Sequence, residues 1–460
     1  MASRASAAAA RGGGYRCSEC GWTTVKWVGR CAECHSWGTV SELGAVRLHT
    51  TGATAVQRPA VPIGDVDASR AEAQPTGVGE FDRVLGGGLV PGAVVLVAGE
   101  PGIGKSTLLL DVAARAARSG RKVLYVSGEE SAGQVRMRAE RIEAMARTLY
   151  LVAETDLATV LGQVDAIRPD LVVVDSVQTI ASAQVEGAAG NVAQVREVAS
   201  SLIQVAKTRG IATLLVGHVT KDGSIAGPRA LEHLVDVVVA FEGERHSRLR
   251  LVRAVKNRYG PTDEVGCFDL CDVGIVGLAD PSGLFLSSRD LVVAGTCVTV
   301  ALEGRRPLVA EVQALVAPTQ MPNPRRVTNG LESSRMAMIM AVLDRRADLP
   351  LRQADVYLST VGGVRLAEPA ADLAVALAVA SSVSERPLAP GTIAVGEIGL
   401  AGEVRPVTGI PRRLAEAARL GFRRAYVPTG ALGSGPVPDG MRVSEVGHIH
   451  SAVRAAMSPG

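Results

Sequence analysis

A glycine-rich segment that follows an apolar run near residue 100 restricts the fold of this chain more than any other feature. The segment reads GEPGIGKST over 99–107, comes directly after VVLVAG at 94–99, and precedes LLLDVAARAA, which has a helical pattern. A strand, a glycine-rich turn and a helix in this order form the phosphate-binding loop, or Walker A motif. The sequence therefore predicts an α/β domain with a nucleotide site at the end of a strand.

The residues of this loop have separate expected roles. Backbone amides of the glycine-rich turn face the phosphates, and the helix N-terminus adds partial positive charge. Lys105 is expected to reach the β- and γ-phosphates of ATP, and Ser106 to ligate magnesium. The predicted ATP-binding residues are Gly99, Glu100, Pro101, Gly102, Ile103, Gly104, Lys105, Ser106 and Thr107.

Further apolar runs alternate with helical patterns from residue 75 to about residue 269. They read KVLYVS (122–127), LVVVD (171–175), IATLLVGH (211–218) and VDVVVAFE (235–242). Short, continuous apolar strands separated by helices indicate a parallel sheet that is covered on both faces. The predicted fold class is therefore α/β.

Polar residues end three of these strands, at the sheet edge where ligands bind in open α/β folds. We predict that Asp175 holds magnesium through water, and that it lies beside the P-loop strand if the sheet is ordered as in other P-loop proteins, with a capping role as the alternative. Glu129 is the predicted catalytic base, and negative charge at a helix N-terminus is its alternative role. His218 is a candidate γ-phosphate sensor, with a purely structural histidine as the alternative.

Two cations lie near the end of the segment LRLVRAVKNRYG at 249–260. Lys256 and Arg258 are two residues apart, so they lie on one face of a strand end. Cations presented together in this way can reach a phosphate in a neighbouring subunit, as arginine fingers do. We predict that both take part in catalysis.

A cysteine cluster lies within the first 34 residues and has the spacing C-x2-C-x10-C-x2-C, formed by Cys17, Cys20, Cys31 and Cys34. Two such pairs can meet around one structural zinc, and four protein ligands leave no open position for catalysis. The same segment contains all three tryptophans of the chain, Trp22, Trp27 and Trp37. Together with Lys26 and Arg30, they either contact nucleic acid or build the core of a small module.

Composition narrows the remaining possibilities. The net charge of +3 over 460 residues argues neither for nor against a polyanionic partner, so any DNA site must be a local patch. No apolar stretch reaches the length of about 20 residues that crosses a bilayer. Residues 1–14 lack the apolar core of a signal peptide. We therefore expect a cytoplasmic protein with no membrane partner.

These patterns divide the chain into six expected segments. They are a disordered tail (1–14), a zinc ribbon (15–42), a linker (43–74), an ATPase domain (75–269), a second linker (270–284) and a second α/β domain (285–460). The boundaries follow changes in periodicity and clusters of turn-forming residues.

Several motifs in one order make the chain resemble a known family. They are CxECGW and KWxGRC around the cysteines, the P-loop, GEES at 128–131, GHVTKDGSIAGPRALEHLVD at 217–236 and KNRYG at 256–260. With these motifs the chain resembles the bacterial RadA (Sms) family of DNA recombination and repair ATPases, from Cys17 to near the C-terminus. The family motif KNRFG occurs here with Tyr259 in place of Phe.

The resemblance implies a RecA-like core in a homo-hexameric ring, similar to replicative helicases of the DnaB type, that moves on single-stranded DNA and promotes branch migration. The implied partners are single-stranded and branched DNA and a RecA-type recombinase filament. The resemblance also implies trans-acting roles for Lys256 and Arg258. It places Lys221 and Arg229 in a DNA-binding loop, where both look like phosphate contacts.

The rear domain resembles the proteolytic domain of Lon, which uses a Ser nucleophile activated by a Lys. In this chain Ala370 and Pro411 occupy the two positions, and no lysine follows Lys256. The domain is therefore expected to be proteolytically inactive. Arg-Arg pairs begin at 305, 325, 345, 412 and 423; they either line a duplex-binding face or serve solvation and ring assembly.

Three functions compete on this basis. The leading hypothesis is an ATP-driven DNA motor, and the alternative is a ring that ATP switches between states on DNA without translocation. An ATP-dependent protease is disfavoured because the Ser-Lys dyad is missing. Motor and switch both need Lys105, Asp175 and the trans-acting cations, so the sequence does not separate them.

Overall fold

The structure, a computed structural model, describes residues 14–42, 60–66, 71–218, 231–243, 248–286, 293–433 and 435–458. It divides into two compact units, Met1–Asp67 and Ala68–Gly460. The expected N-terminal tail lies outside the described residues except for Gly14. Within the described ranges, no helix combines the length and apolar character needed to span a bilayer.

The first unit contains a small antiparallel sheet. Its strands are β1 (Tyr15–Cys17), β2 (Thr23–Thr24) and β3 (Val40–Glu42), in the order β2-β1-β3. Cys17, Cys31 and Val40 are buried at its centre. So small a core does not stabilise a fold by itself, and modules of this size usually need a metal.

The first part of the second unit is a mixed sheet covered by helices. Its elements are α1 (Gly79–Leu85), β4 (Val94–Gly99), α2 (Lys105–Arg118), β5 (Val123–Ser127), α3 (Ala132–Arg141), β6 (Leu149–Ala153), α4 (Leu157–Ile167), β7 (Leu171–Asp175), α5 (Val192–Arg209), β8 (Ala212–His218), β9 (Val237–Glu242), β10 (Leu249–Asn257), β11 (Val265–Cys271) and β12 (Gly274–Gly277). In the described part of the chain, the strand order is β12-β11-β10-β9-β4-β8-β7-β5-β6. Strands β4 to β9 pair in parallel, and β10, β11 and β12 continue the sheet in antiparallel pairs.

Apolar residues of β4 alternate between two cores. Val95 and Val97 pack in the cluster that contains α2, whereas Val94 and Leu96 pack in the cluster that contains α5. Because successive side chains of a strand point to opposite faces, helices cover both faces of this sheet. The predicted α/β fold class is confirmed.

The position of β7 differs from the prediction. Asp175 does not lie beside the P-loop strand, because β8 pairs with both β4 and β7 and separates them. Strand adjacency depends on long-range pairing, which the local periodicity of a sequence does not encode. As a consequence, His218 at the end of β8 lies between the P-loop and Asp175.

The segment 270–284, predicted to be a linker, instead completes this sheet. β12 forms a hairpin with β11, and a 3-10 turn follows at Pro281–Leu284. A Cβ built on Gly104 would lie 3.5 Å from the Cδ1 atoms of both Leu270 and Ile275, so the hairpin packs under the nucleotide loop. The four residues of β12 are too few for a periodic signal.

The second part of this unit is another mixed sheet. Its elements are β13 (Thr296–Glu303), β14 (Arg306–Pro318), β15 (Arg326–Asn329), α6 (Ser333–Arg346), β16 (Ala354–Thr360), α7 (Asp372–Ser384), β17 (Thr392–Ala394), β18 (Glu397–Ile398), β19 (Val404–Arg405), α8 (Ile410–Arg419), β20 (Arg424–Pro428), β21 (Arg442–Val446) and α9 (Ile449–Met457). Its strand order over the described residues is β15-β16-β14-β13-β17-β20-β21, and β18 pairs with β19 in a separate hairpin. Helices α6, α7 and α9 share one core cluster, and α8 packs in another. Helix α7 is apolar on all sides, which is typical of a helix inside a core.

A buried ion pair joins the two sheets. Arg306, at the start of β14, binds Glu80 of α1, and both side chains are buried. The same guanidinium donates to Val265 O at 3.1 Å and to the carbonyl oxygens of Leu278 and Ala279 at 2.8 Å each. Several hydrogen bonds to one buried guanidinium offset the cost of taking the charge out of water.

Candidate nucleotide site and zinc centre

The loop between β4 and α2 has the backbone that phosphate binding requires. Gly102 and Gly104 have φ angles of 80° and 106°, in the left-handed region that favours glycine. A Cβ on Gly99 would lie 2.6 Å from Phe241 O, so no side chain fits there. Helix α2 begins at Lys105, and its free N-terminal amides attract anions. The other predicted ATP-binding residues lie in this loop or in the first turn of α2, namely Glu100, Pro101, Ile103, Ser106 and Thr107.

Lys105 is almost fully buried at the centre of this loop. Its Nζ donates hydrogen bonds to the carbonyl oxygens of Gly99 and Glu100 at 2.8 and 2.7 Å, and it lies 3.4 Å from His218 Nδ1. Burial lowers the pKa of Lys105 to about 8, although nearby carboxylates oppose the shift. A bound phosphate would favour the charged form of this amine.

Glu129 and His218 form a pair beside Lys105. His218 Nε2 lies 2.8 Å from Glu129 Oε1, and Ser176 Oγ donates to the same oxygen at 2.6 Å. Because Lys105 approaches Nδ1, we assign the ring proton to Nε2, which donates to Glu129. These hydrogen bonds, that of His218 first, lower the pKa of Glu129 to about 2 against the effect of burial. The carboxylate therefore stays ionised at neutral pH, as a group that polarises an attacking water must.

Residues other than Glu129 stabilise the N-terminus of α3, which was the alternative role of Glu129. Ser131 caps α3 and forms a reciprocal capping box with Gln134. Glu130 forms an ion pair with Arg138 on the same helix. Glu129 points instead to the network of Lys105, so the helix does not account for its position.

Asp175 ends β7 and is buried. Its Oδ2 accepts a 2.7 Å hydrogen bond from Tyr125, whereas the buried Oδ1 has no hydrogen-bond partner among the residues that the structure describes. A buried carboxylate oxygen in that state is costly unless a ligand satisfies it. Magnesium prefers oxygen ligands, so Asp175 and the Ser106 hydroxyl fit a magnesium ion that arrives with ATP.

Lys256 and Arg258 lie at the opposite edge of the sheet from the P-loop. Asp236 accepts a 3.0 Å hydrogen bond from the backbone amide of Val94, at the amino end of β4, and Arg258 pairs with Asp236. Lys256 Nζ donates to two carbonyl oxygens just before β9, at 2.7 and 2.8 Å. The six residues of β4 span about 17 Å, so neither cation reaches the P-loop of its own subunit.

Sequence reasoning missed three polar residues of the site. Ser176 holds Glu129, Tyr125 holds Asp175, and Gln178 donates to the carbonyl oxygen of His218 at 3.3 Å. Ser176 and Gln178 follow β7, where any polar residue is a candidate, and Tyr125 places a hydroxyl inside the apolar run KVLYVS. The predicted DNA contacts Lys221 and Arg229 lie outside the described residues.

The four cysteines converge in the first unit. Their Sγ atoms all lie within 4.8 Å of one another, with 3.6 Å between Cys17 and Cys34 and 3.5 Å between Cys20 and Cys31. Tetrahedral zinc at about 2.3 Å from each thiolate separates the sulfurs by about 3.8 Å. A hydrogen bond with Thr39 is the main cause that lowers the pKa of Cys17 to about 6. The cluster therefore fits one zinc ion with no open position.

The rear domain has a buried ion pair near the positions of the missing protease dyad. Ala370 is fully buried, and Pro411 lies in the first turn of α8. Glu368, two residues before Ala370, binds the fully buried Arg413, two residues after Pro411. Neither residue of this pair is a nucleophile of the Lon type.

The five Arg-Arg pairs do not act alike. Arg306 and Arg413 are buried in ion pairs, so the pairs that begin at Arg305 and Arg412 each present one exposed guanidinium. Both arginines are exposed at 325–326 and at 345–346. Arg326 also donates to the carbonyl oxygens of Leu351, at 2.7 Å, and Ala354. Three of the five pairs are therefore partly structural, which weakens a uniform DNA-binding interpretation of the pairs.

Comparison with protein families matches three segments of the chain. The model described as an AAA domain matches residues 57–224, a rubredoxin metal binding domain matches 15–42, and subunit ChlI of Mg-chelatase matches 330–431. Among solved structures, a KaiC-like protein from Pyrococcus horikoshii is 22% identical with a TM-score of 0.39, over 45% of this chain and 99% of that one.

Curated relatives match nearly the whole chain. DNA repair protein RadA of Mycolicibacterium smegmatis is 55% identical over 96% of this chain and 96% of its own length. The protein of the same name from Mycobacterium tuberculosis is 55% identical, over 96% and 92%. The one from Streptococcus pyogenes is 47% identical, over 96% and 98%. The resemblance inferred from the motifs is confirmed, and the chain belongs to the family of the DNA repair protein RadA.

Proposed function

We propose that this chain is a DNA-dependent ATPase of recombinational DNA repair that works as a homo-hexameric motor on single-stranded DNA, with helicase and branch-migration activity. Its curated relatives are named DNA repair proteins. The proposal rests on one observation above all: Lys105 and the pair Lys256 and Arg258 lie at opposite edges of one sheet.

That separation supports a ring. Two cations about 17 Å from their own P-loop complete a nucleotide site if a neighbouring subunit presents its amino-terminal sheet edge to it. A head-to-tail interface of this kind closes into a ring when the rotation between subunits allows it. Lys256 and Arg258 then act in trans on the γ-phosphate, as arginine fingers do.

Different residues of one subunit have different roles in ATP hydrolysis. ATP supplies the phosphoryl group when it is bound, and its magnesium ion supplies positive charge that neutralises the phosphate oxygens. Lys105 would hold the phosphates, while Ser106 and Asp175 would hold the metal. Glu129 polarises the attacking water, with its carboxylate kept in place by His218 and Ser176.

His218 supports a link between ATP and DNA. It contacts both Lys105 and Glu129, and the segment with Lys221 and Arg229 follows it directly in the chain. A phosphate that displaces Lys105 from its present partners also alters the surroundings of the His218 ring. We infer that this strand end couples nucleotide state to a DNA-binding loop.

The other modules complete the proposed machine. Residues 15–42 form a zinc ribbon, the ATPase domain runs from 75 through β12 to 277, and the Lon-like domain begins near 285 and serves ring assembly without proteolysis. Branched DNA and a RecA-type recombinase filament are the proposed partners on which the motor acts.

ATP hydrolysis with and without single-stranded DNA tests this function. At low salt, DNA should stimulate the wild type, and the stimulation should fall at moderate salt because phosphate contacts release counterions. Lys105→Ala should abolish the activity. Hydrolysis that is indifferent to DNA under all these conditions would contradict the proposal.

A forked duplex separates the motor from the ATP-switched ring. The motor predicts ATP-dependent strand displacement that disappears in Lys256→Ala, because the trans cation is lost. Equal DNA binding by both proteins without any unwinding would support the switch instead.

A further inference from the structure

The three tryptophans of the zinc module have different environments. Trp22 packs against the cysteine core. Trp27 and Trp37 are 65% and 75% exposed, so they do not build the core. The structure thereby assigns Trp22 to the core and leaves Trp27 and Trp37 without a core role.

The two exposed indoles border one small space. A Cβ built on Gly29 would lie 3.7 Å from Cζ3 of Trp37 and 3.8 Å from Cη2 of Trp27. Gly29 thus keeps the space between the two rings free of side-chain atoms. The Arg30 guanidinium lies 5.8 Å from the centre of the Trp37 ring, and its Nε is held by a 2.9 Å hydrogen bond to His35 O.

Two neighbouring exposed indoles are unusual on a small module, because each leaves a large apolar face in water. Flat aromatic faces beside cations are the means by which proteins stack the bases of single-stranded nucleic acid. Lys26 and Arg30 form no ion pair among the residues that the structure describes. No carboxylate of the described residues therefore neutralises either cation, and Arg30 is already held beside Trp37 by its contacts with His35 and the Trp37 ring.

The module is not strongly basic. Residues 15–42 contain three cations and three carboxylates, namely Arg16, Lys26 and Arg30 against Glu19, Glu33 and Glu42. Binding that relied on phosphate contacts would need an excess of cations. Stacking has no such requirement, so the composition favours contacts to bases.

We propose that Trp27 and Trp37, with Arg30 beside them, form a base-stacking site for single-stranded DNA on the zinc module. This inference deepens the proposed function and rests on it. Duplex DNA is excluded from the site because its bases are stacked on one another and their faces are not available.

The intrinsic fluorescence of the full-length, zinc-loaded protein tests this site directly. The chain has three tryptophans and all lie in this module, so the emission reports on it alone. Oligothymidylate should quench this emission, and the matched duplex should quench it less. Trp27→Ala and Trp37→Ala should each weaken binding about tenfold, as expected for one lost stacking contact.

The controls separate stacking from other causes. Trp27→Phe keeps an aromatic face and should retain most of the affinity. Val25→Ala removes an apolar side chain that is 83% exposed and should have no effect. Because an indole neutralises no phosphate, the salt dependence of DNA binding should have the same slope in both Trp→Ala variants and the wild type. Zinc content measured for each variant verifies that the module is folded.

Three results would overturn the inference. Unchanged affinity and no quenching, while DNA still stimulates ATP hydrolysis, would remove the site and leave the proposed function standing. Equal losses of DNA affinity in Val25→Ala and Trp27→Ala would mean that the aromatic faces have no special role, which contradicts a base-stacking site. If DNA fails to stimulate ATP hydrolysis by the wild type, the proposed function is contradicted, and the base-stacking site that rests on it is contradicted too.

Discussion

At the scale of residues, one chain of contacts connects the P-loop lysine to Glu129, the proposed general base. Lys105 lies next to His218, His218 donates to Glu129, and Ser176 donates to the same carboxylate oxygen. Desolvation acts against the charge of Lys105, and hydrogen bonds favour the charge of Glu129. Lys105 therefore changes its charge near pH 8, whereas Glu129 changes its charge near pH 2.

Affinity for ATP should fall as pH rises through about 8. Burial lowers the pKa of Lys105 to about 8, so above that pH the nucleotide-free protein holds a neutral amine. ATP binding requires the charged form and must then take up a proton. A fluorescent ATP analogue titrated between about pH 7 and about pH 9.5 measures the effect. A dissociation constant that stays flat over this range would contradict the pKa of Lys105.

Ser176→Ala should lower kcat by about tenfold and leave the KM for ATP nearly unchanged, because the Ser176 hydroxyl donates to Glu129, the proposed general base, and the proposed nucleotide contacts come from other residues. Glu129→Gln should lower kcat by about 100-fold or more, since the base itself is lost. Steady-state kinetics measure both effects, and Ser176→Thr should restore part of kcat. A rise in KM with kcat unchanged would show that Ser176 acts on binding instead.

At the scale of elements, a buried guanidinium holds helix α8 on the rear sheet. Arg413 is fully buried and binds Glu368, and its Nε donates to Thr408 O at 2.9 Å. Glu368 also accepts the backbone amide of Leu302, on β13, at 2.8 Å. Helix α8, β13 and the segment before α7 therefore share one polar contact inside an apolar core.

Arg413→Met should destabilise the rear domain by about 3 kcal/mol, because it leaves a half-buried carboxylate without its partner. The neighbouring Arg412 is exposed, so Arg412→Met is a matched control that should change stability by less than about 0.5 kcal/mol. Urea unfolding followed by circular dichroism measures both. Equal effects of the two substitutions would show that the ion pair is not a main support of this domain.

At the scale of the whole molecule, both large sheets belong to one compact unit. The ATPase sheet has candidate functional residues at both ends of its strands. Arg306 and Glu80 join the ATPase sheet to the rear sheet. The P-loop lies at the carboxyl ends of the parallel strands, and Lys256 and Arg258 lie at the amino ends. The P-loop and the two proposed trans-acting cations therefore lie at different ends of the strands.

Mixing two inactive variants should restore ATP hydrolysis. Lys105→Ala and Lys256→Ala should each be inactive alone. In a randomly mixed head-to-tail ring, about a quarter of the interfaces combine an intact P-loop with an intact cation pair, so about a quarter of the wild-type rate should return. Activity is measured after the two proteins are dissociated, mixed and reassembled. No recovery would contradict the proposed trans-acting role of Lys256.

Much of the fold and site could be predicted because the relevant signals are local. The P-loop needs a strand, glycines and a helix in immediate succession, and the cysteine cluster needs two close pairs. Asp175 and His218 end apolar runs, Glu129 follows one closely, and the carboxyl ends of parallel strands meet at one edge. The sequence by itself thus determined the fold class and the edge where these residues lie.

The tertiary structure decided what depends on contacts between distant segments. The insertion of β8 between β4 and β7, and the addition of β12 to the sheet, follow from long-range strand pairing. The position of Lys256 far from its own P-loop follows from the antiparallel return of β10. The exposure of Trp27 and Trp37 was open in the sequence because a tryptophan fits a core or a binding face equally well. In each case the deciding quantity is the free energy of packing one segment against another, which no local pattern of residues contains.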